Sequence, residues 1–334
     1  MRMIRRAALI LAVLLAGSAS ASDYAPIGKP LAVAQVPGKP IYYSLGNTGV
    51  PSQANEGNTS NGGFVVTDDG VVVYDALGTP SLGWALLEQI RTITDKPVRY
   101  VVVSHYHADH IYGLQAFKDH TGAVVIAQER AAQYRDNDET ADERADARLR
   151  QRQGALAPWV DEHTRIVPPD LTFAERATLT LGGKRFVLLY AGPAHSASDM
   201  MMMVEPDGVL FAGDIVQNGR IPHMNSDDVD TGRWLTALKQ VEGLKPRFII
   251  PGHGEPSTEA AKAIAFTAGY ITDVRRVMKN AVDSWTDFDA AYKAADWSAY
   301  DKLPAFAANN RGNAYRIFLE LEGANFTDGK KSEP

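Results

Sequence analysis

Cysteine is absent from the 334-residue chain. No disulfide can brace the fold, no thiolate can bind a metal or attack a substrate, and no lipid can be attached at a cysteine. Stability must come from packing and from any bound metal. Long apolar runs are also missing, except for one at the start. Arg2, Arg5 and Arg6 precede an apolar run over residues 7–16, too short to span a bilayer. Ala19-Ser20-Ala21 then offers a small-x-small cleavage site before Ser22. Residues 1–21 read as a signal peptide rather than a membrane anchor or buried helix. The mature protein is expected to be periplasmic or secreted, with no stable membrane anchor after cleavage near Ala21. A basic excess is lacking as well, since 34 Lys and Arg stand against 40 Asp and Glu. Loss of the three leader arginines leaves 31 against 40, a net charge of −9. Such a chain lacks the electrostatic footprint for nucleic acid, so a small-molecule substrate is the expected partner.

What is present is an ordinary globular composition, 45% apolar and 22% charged, with no repeat of solenoid length. Residues 22–62, rich in Pro, Gly, Asn and Ser, read as an extended N-terminal segment with one short strand over 41–45. Residues 63–67 and 71–74, joined by Asp68-Asp69-Gly70, predict a hairpin. Leu82, Leu86, Leu87 and Ile90 predict a helix over 81–93. A β-branched run over 100–103 is a buried strand, followed by a helix over 113–119 and a strand over 123–127. The charged stretch 129–153 predicts one or two exposed helices near the site mouth, read as a solvated face rather than a charged binding surface. Further strands are expected over 179–181, 185–189, 200–204, 209–211 and 248–250, with a helix over 232–241. Met200 to Met203 alternate in a strand and read as core filler rather than as a thioether copper site. From residue 258 the pattern is helical, over 260–278, 287–294 and 314–322. Paired strands broken by helices predict an α+β fold, two mixed sheets face to face with helices outside. The expected division is a core over 63–257 and a helical C-terminal segment over 258–334.

Three histidines and an aspartate crowd into His105-Tyr106-His107-Ala108-Asp109-His110. At the end of an extended strand His105 and His107 project to one side, while Asp109 and His110 lie past the bend and can point back. One segment can thus serve two metal sites a few ångströms apart. His195 in Ala194-His195-Ser196, Asp214 in Gly213-Asp214 and His253 in Gly252-His253-Gly254 also fall at strand ends or loops, flanked by small residues that let backbone approach.

His-x-His-x-Asp-His, then Ala-His, Gly-Asp and Gly-His-Gly in that order, resembles the metallo-β-lactamase superfamily over roughly residues 63–256. The resemblance implies an αββα sandwich and a first metal held by His105, His107 and His195. It implies a second metal held by Asp109, His110 and His253, with Asp214 bridging. Asp75 matches the family's buried aspartate that orients the histidine loop, although a plain strand-end turn is the alternative. All ligands are N or O, which suits zinc and admits iron or manganese. Two divalent ions sharing one water lower its pKa from 15.7 towards about 7. Asp109 is expected to shuttle the proton as well as ligate. Arg220 and His223 either contact substrate or serve structure.

Departures from family patterns narrow the branch. Histidine at 107 stands where the di-iron oxygen and nitric oxide reductases carry glutamate. Aspartate at 214 stands where familiar β-lactamases carry cysteine or serine, and so resembles the type II glyoxalases and lactonases. The Gly-Cys-Gly-Arg stretch usual in those glyoxalases is replaced by residues 215–222, which points away from glutathione thioesters. The leader, the Ala-His-Ser loop and the tail from Asn313 look most like the exported quinoprotein relay system zinc metallohydrolases. That likeness implies a thioesterase-like enzyme. An Asp-bridged β-lactamase and a non-catalytic metal-bearing accessory protein are the alternatives.

Overall fold

β-branched runs whose side chains alternate between two apolar layers build both sheets. In the computed structural model, which describes residues 24–134, 139–226 and 228–329, the predicted signal peptide lies outside the described residues. The first sheet has seven strands in chain order: β1 (Val33–Gln35), β2 (Ile41–Ser44), β3 (Gly62–Val66), β4 (Val71–Tyr74), β5 (Val98–Val102), β6 (Val124–Gln128) and β7 (Leu171–Phe173). Pairings up to β3–β4 are antiparallel, and from β4 onward they are parallel. Parallel neighbours need crossovers. These are α1 (Pro80–Ile93), then α2 (Ala108–Ile111) with α3 (Leu114–His120), then α4 (Glu139–Leu156).

The second sheet runs β12 (Phe248–Gly254), β11 (Val209–Asn218), β10 (Met200–Glu205), β9 (Lys184–Tyr190) and β8 (Arg176–Leu181). Its one parallel pair, β11 with β12, is joined through α5 (Thr231–Gly243). The chain then continues as α6 (Ala260–Asp283), α7 (Phe288–Ala294) and α8 (Phe306–Gly329).

Alternation fixes the layers. Val72, Tyr74 and Val102 face Phe186, Met200, Met202 and Phe211 between the sheets. Val71, Val73, Val101 and Val103 face outward onto Leu82, Leu86 and Ile90 of α1. On the other side, Met201, Met203 and Leu210 pack with Trp234, Ile271 and Val274 of α5 and α6. The result is an αββα sandwich with a helical C-terminal region, and the four methionines are core residues on both faces of β10. Thr79 caps α1 by accepting from Leu82 N at 3.1 Å, with Pro80 at the first helical position.

Several boundaries differ from expectation. β11 runs on to Asn218 and β12 to Gly254, so Asp214 and His253 lie inside strands rather than after them. The register between these strands shifts after Phe211 and again after Gly213. Such irregularity hides a strand from a search for simple alternation. The three-residue strands β1 and β7 are too short to show a period. Helix α8 begins at Phe306, eight residues before the expected start.

Candidate metal centre

The ligand loop starts where β4 and β5 end side by side. Asp75 follows β4 with a left-handed backbone, φ 57°, a conformation asparagine and aspartate tolerate better than most residues. Its carboxylate is fully buried and accepts from Ser104 N at 2.7 Å and Ser104 Oγ at 2.8 Å. It also accepts from His110 Nδ1 at 2.8 Å. A carboxylate only accepts, so His110 carries its proton on Nδ1 and turns a lone pair outward at Nε2. Ser104 Oγ has already donated to Asp75, so it accepts from His105 Nδ1 at 2.9 Å and frees Nε2 of that ring too. His253 repeats the logic from the other sheet, with Nδ1 donating to Thr59 O at 2.6 Å.

These lone pairs converge. The ligand atoms of His105, His107 and His195 lie within 4.8 Å of one another, as do those of His105, His110 and Asp214, and those of Asp109, His110 and His253. The first and third sets are the two sequence-derived triads. The middle set places Asp214 beside a residue from each, as a bridging carboxylate requires. Asp214 lies 3.2 Å from His110 Nε2, 3.2 Å from His195 Nε2 and 3.1 Å from His253 Nε2. His107 Nδ1 and His195 Nε2 approach to 2.9 Å.

Small residues permit the closeness. A Cβ on Gly252 would clash with Asp214 Oδ1, so only glycine lets β12 pass the carboxylate.

The residues fit a divalent cation on their own evidence. His105 Nε2, His110 Nε2 and Asp214 Oδ1, all turned into the cluster, are buried polar atoms without a hydrogen-bond partner among the described residues. Orphans of this kind are rare and expensive unless something binds them. Burial pushes the His195 imidazole down to about 4 and those of His105 and His107 well below the usual range, which keeps these rings neutral. For His110 burial works the same way, yet Asp214, Asp75 and Asp109 outweigh it and raise its pKa well above normal, so Nε2 holds a proton unless a cation takes its place. The acidic cluster draws positive charge to this point.

Other predicted residues take different places. Arg220 is buried, and its Nε, Nη1 and Nη2 donate to Thr48 O, Gln217 Oε1 and Gly49 O at 2.8, 3.1 and 3.3 Å. His223 is exposed and lines the same cavity of about 470 Å³ as His107, Asp109 and Asp214.

Sequence reasoning missed four supports. Ser104 relays Asp75 to His105. Gln217 is fully buried and donates from Nε2 to Asp214 Oδ2 at 3.1 Å, tying that ligand to Arg220. Asn61 Nδ2 donates to Pro251 O and Gly254 O at 2.9 and 2.8 Å and so holds the His253 turn. Asp199 accepts from Ser196 N and Oγ, both at 2.7 Å, and fixes the loop of His195. Burial pushes the Asp199 carboxyl up to about 8, against the pull of those two bonds. The clue for Asn61 was the polar run Asn58-Thr59-Ser60-Asn61 directly before an apolar strand.

A buried nest of imidazoles and carboxylates at the ends of two facing sheets defines a metal-binding protein of the αββα class. The metallo-beta-lactamase superfamily pattern matches residues 56–253, and the chain belongs to that superfamily. A linear primary-alkylsulfatase of Pseudomonas sp. (strain ATCC 19151) is 23% identical over 66% of this chain and 44% of its own length. An acyl-coenzyme A thioesterase of Gallus gallus is 30% identical over 46% of this chain and 55% of its own. The chain thus spans about half the length of these curated relatives. Among solved structures, the sec-alkyl sulfatase PisA1 superposes with a TM-score of 0.65 at 17% identity, over 91% of this chain and 52% of that one. These relatives are sulfatases and a thioesterase by name, and the groups gathered here could hold metal ions.

Proposed function

We propose that the protein is a periplasmic two-metal hydrolase, with zinc the preferred ion, that cleaves a thioester or other activated carbonyl. The observation that carries this reading is Asp214, set between two triads of ligands. Divalent ions held there supply a water acidified towards neutral pH and a Lewis-acid pull on the acyl oxygen. The chain's own groups do the rest. Asp109 is partly open to the cavity, with Oδ2 3.4 Å from His253 Nε2, and takes up the proton of the attacking water. Ser60 Oγ donates to the Asp109 carbonyl oxygen and holds that residue in place. Asp214 stays buried and ionised, because burial is outweighed by His253, His110 and His195, which lower its pKa. The thioesterase relative supports the thioester, and the alkylsulfatase relative supports a second reading, cleavage of a sulfate ester.

Metal analysis with a panel of S-acyl thioesters, lactones, nitrocefin and alkyl sulfates tests these readings. About two ions per chain are expected, with thioester turnover, and Asp214→Ala loses both. Fewer than about 1.5 ions per chain, with full activity in that variant, overturns the two-metal site. Nitrocefin or alkyl sulfate turnover with thioesters untouched reassigns the substrate.

A further inference from the structure

Helix α4 has two working faces. Ala145, Leu149 and Leu156 pack into the core beside the first sheet. Arg148, Gln151, Arg152 and Ala155, spaced three and four apart, form a neighbouring stripe that lines the cavity over the metal ligands. The sequence favours a solvated face for 129–153, but the end of that stretch is cavity wall. Arg150, off the stripe, is exposed as that reading expects.

The wall is charged unlike the chain as a whole, whose net charge is −6. Its acidic side chains are Asp109 and Asp214, both in the ligand set, and its arginines are Arg148, Arg152 and Arg220. Arg220 is committed to Thr48, Gly49 and Gln217. Arg148 and Arg152 are only partly buried, and Arg152 has no salt bridge to a carboxylate among the described residues. Arg148 and Arg152 line the same cavity as His107, Asp109 and Asp214, so the stripe faces the reacting centre. A cationic wall in a low-dielectric cleft concentrates anions there even when the protein is acidic overall.

We propose that α4 forms an anion subsite in which Arg148 and Arg152 bind a carboxylate on the substrate's acyl chain, remote from the scissile bond. The substrates are then acidic acyl thioesters, preferred over neutral ones of equal length. This rests on the hydrolase reading above. Guanidinium suits the task, because its planar fork pairs with both carboxylate oxygens.

S-succinyl and S-butyryl thioesters of N-acetylcysteamine have acyl chains of equal length and differ in a terminal carboxylate. The wild-type holoenzyme is expected to favour the succinyl ester in kcat/KM by about tenfold or more. The double variant Arg148→Gln/Arg152→Gln, which keeps helix-forming side chains, is expected to bring that ratio near unity. A ratio unchanged in the variant overturns the subsite. Calorimetric titration of both holoenzymes with succinate gives a reading independent of turnover, with binding about tenfold weaker in the variant. Equal succinate affinity likewise overturns the subsite. If neither thioester is cleaved, the proposed reaction fails, while the succinate affinities still decide the subsite.

Discussion

At His110 the ring proton sits on Nδ1 because Asp75 can only accept, and the same constraint passes through Ser104 to His105. Asp75 therefore selects the tautomer of two ligands that belong to different triads without itself entering the cavity. Asp75→Asn keeps the size and tolerates the left-handed backbone, but its amide can donate where the carboxylate only accepted. Metal affinity is expected to fall by about 10- to 100-fold, measured by competition with a chromophoric chelator, with the fold retained. Unchanged affinity would show that the tautomers are set elsewhere. Asp75 was legible through the family resemblance, which sets a buried aspartate at the end of the strand ahead of the histidine segment, while its position alone fits a plain turn as well. Thr59 and Gln217 were not, since a threonine in a polar loop and a glutamine past the expected strand end carry no local sign of what they touch. Their partners are supplied by the fold, as with Thr59 O and His253 Nδ1, 194 residues apart.

Between elements, the turn from β10 to β11 is tied down by Asp207, which pairs with Lys184 at the start of β9 and with Lys39 before β2, the latter at 3.1 Å. Burial pushes its carboxyl up, but the two lysines outweigh that and hold it below the usual range. A carboxyl with a depressed folded pKa stabilises fully above its unfolded value, about 3.9. That contribution fades as pH falls through the folded value. Asp207→Asn should thus lower stability by about 1 kcal/mol near neutrality, read from urea midpoints, and the gap to wild type should close below about pH 4. A gap that widens in acid would refute the assignment. The β3–β4 hairpin, α1 and the strand before the histidine segment were readable from turn chemistry and period. Edge strands of three residues were not, and neither was the far half of β11, whose buried polar residues serve the site rather than the core. In α4 the stripe at 148, 151, 152 and 155 has helical spacing, but a charged stripe looks alike whether it meets water or a cavity.

For the molecule as a whole, buried orphan nitrogens and a crowd of carboxylates make the centre a source of strain unless a cation neutralises it. Chelation should lower the melting temperature and added zinc should restore it. At free metal about 100 times the dissociation constant, linkage gives about 2.7 kcal/mol, enough to see by calorimetry. An unchanged melting temperature would mean that packing alone carries the sandwich. The layered plan was legible from strand runs and motif order, whereas the closure of the site by the segment at Thr59 to Asn61 was not. That closure also bears on the timing of assembly. The segment from His105 to His110 emerges early in the chain, with its ligands already adjacent, while His253 and the glycine that lets it approach Asp214 come near the end of the core. A partly made chain can therefore seize a cation before it has the strands to seat one correctly, and faithful loading belongs to the finished fold.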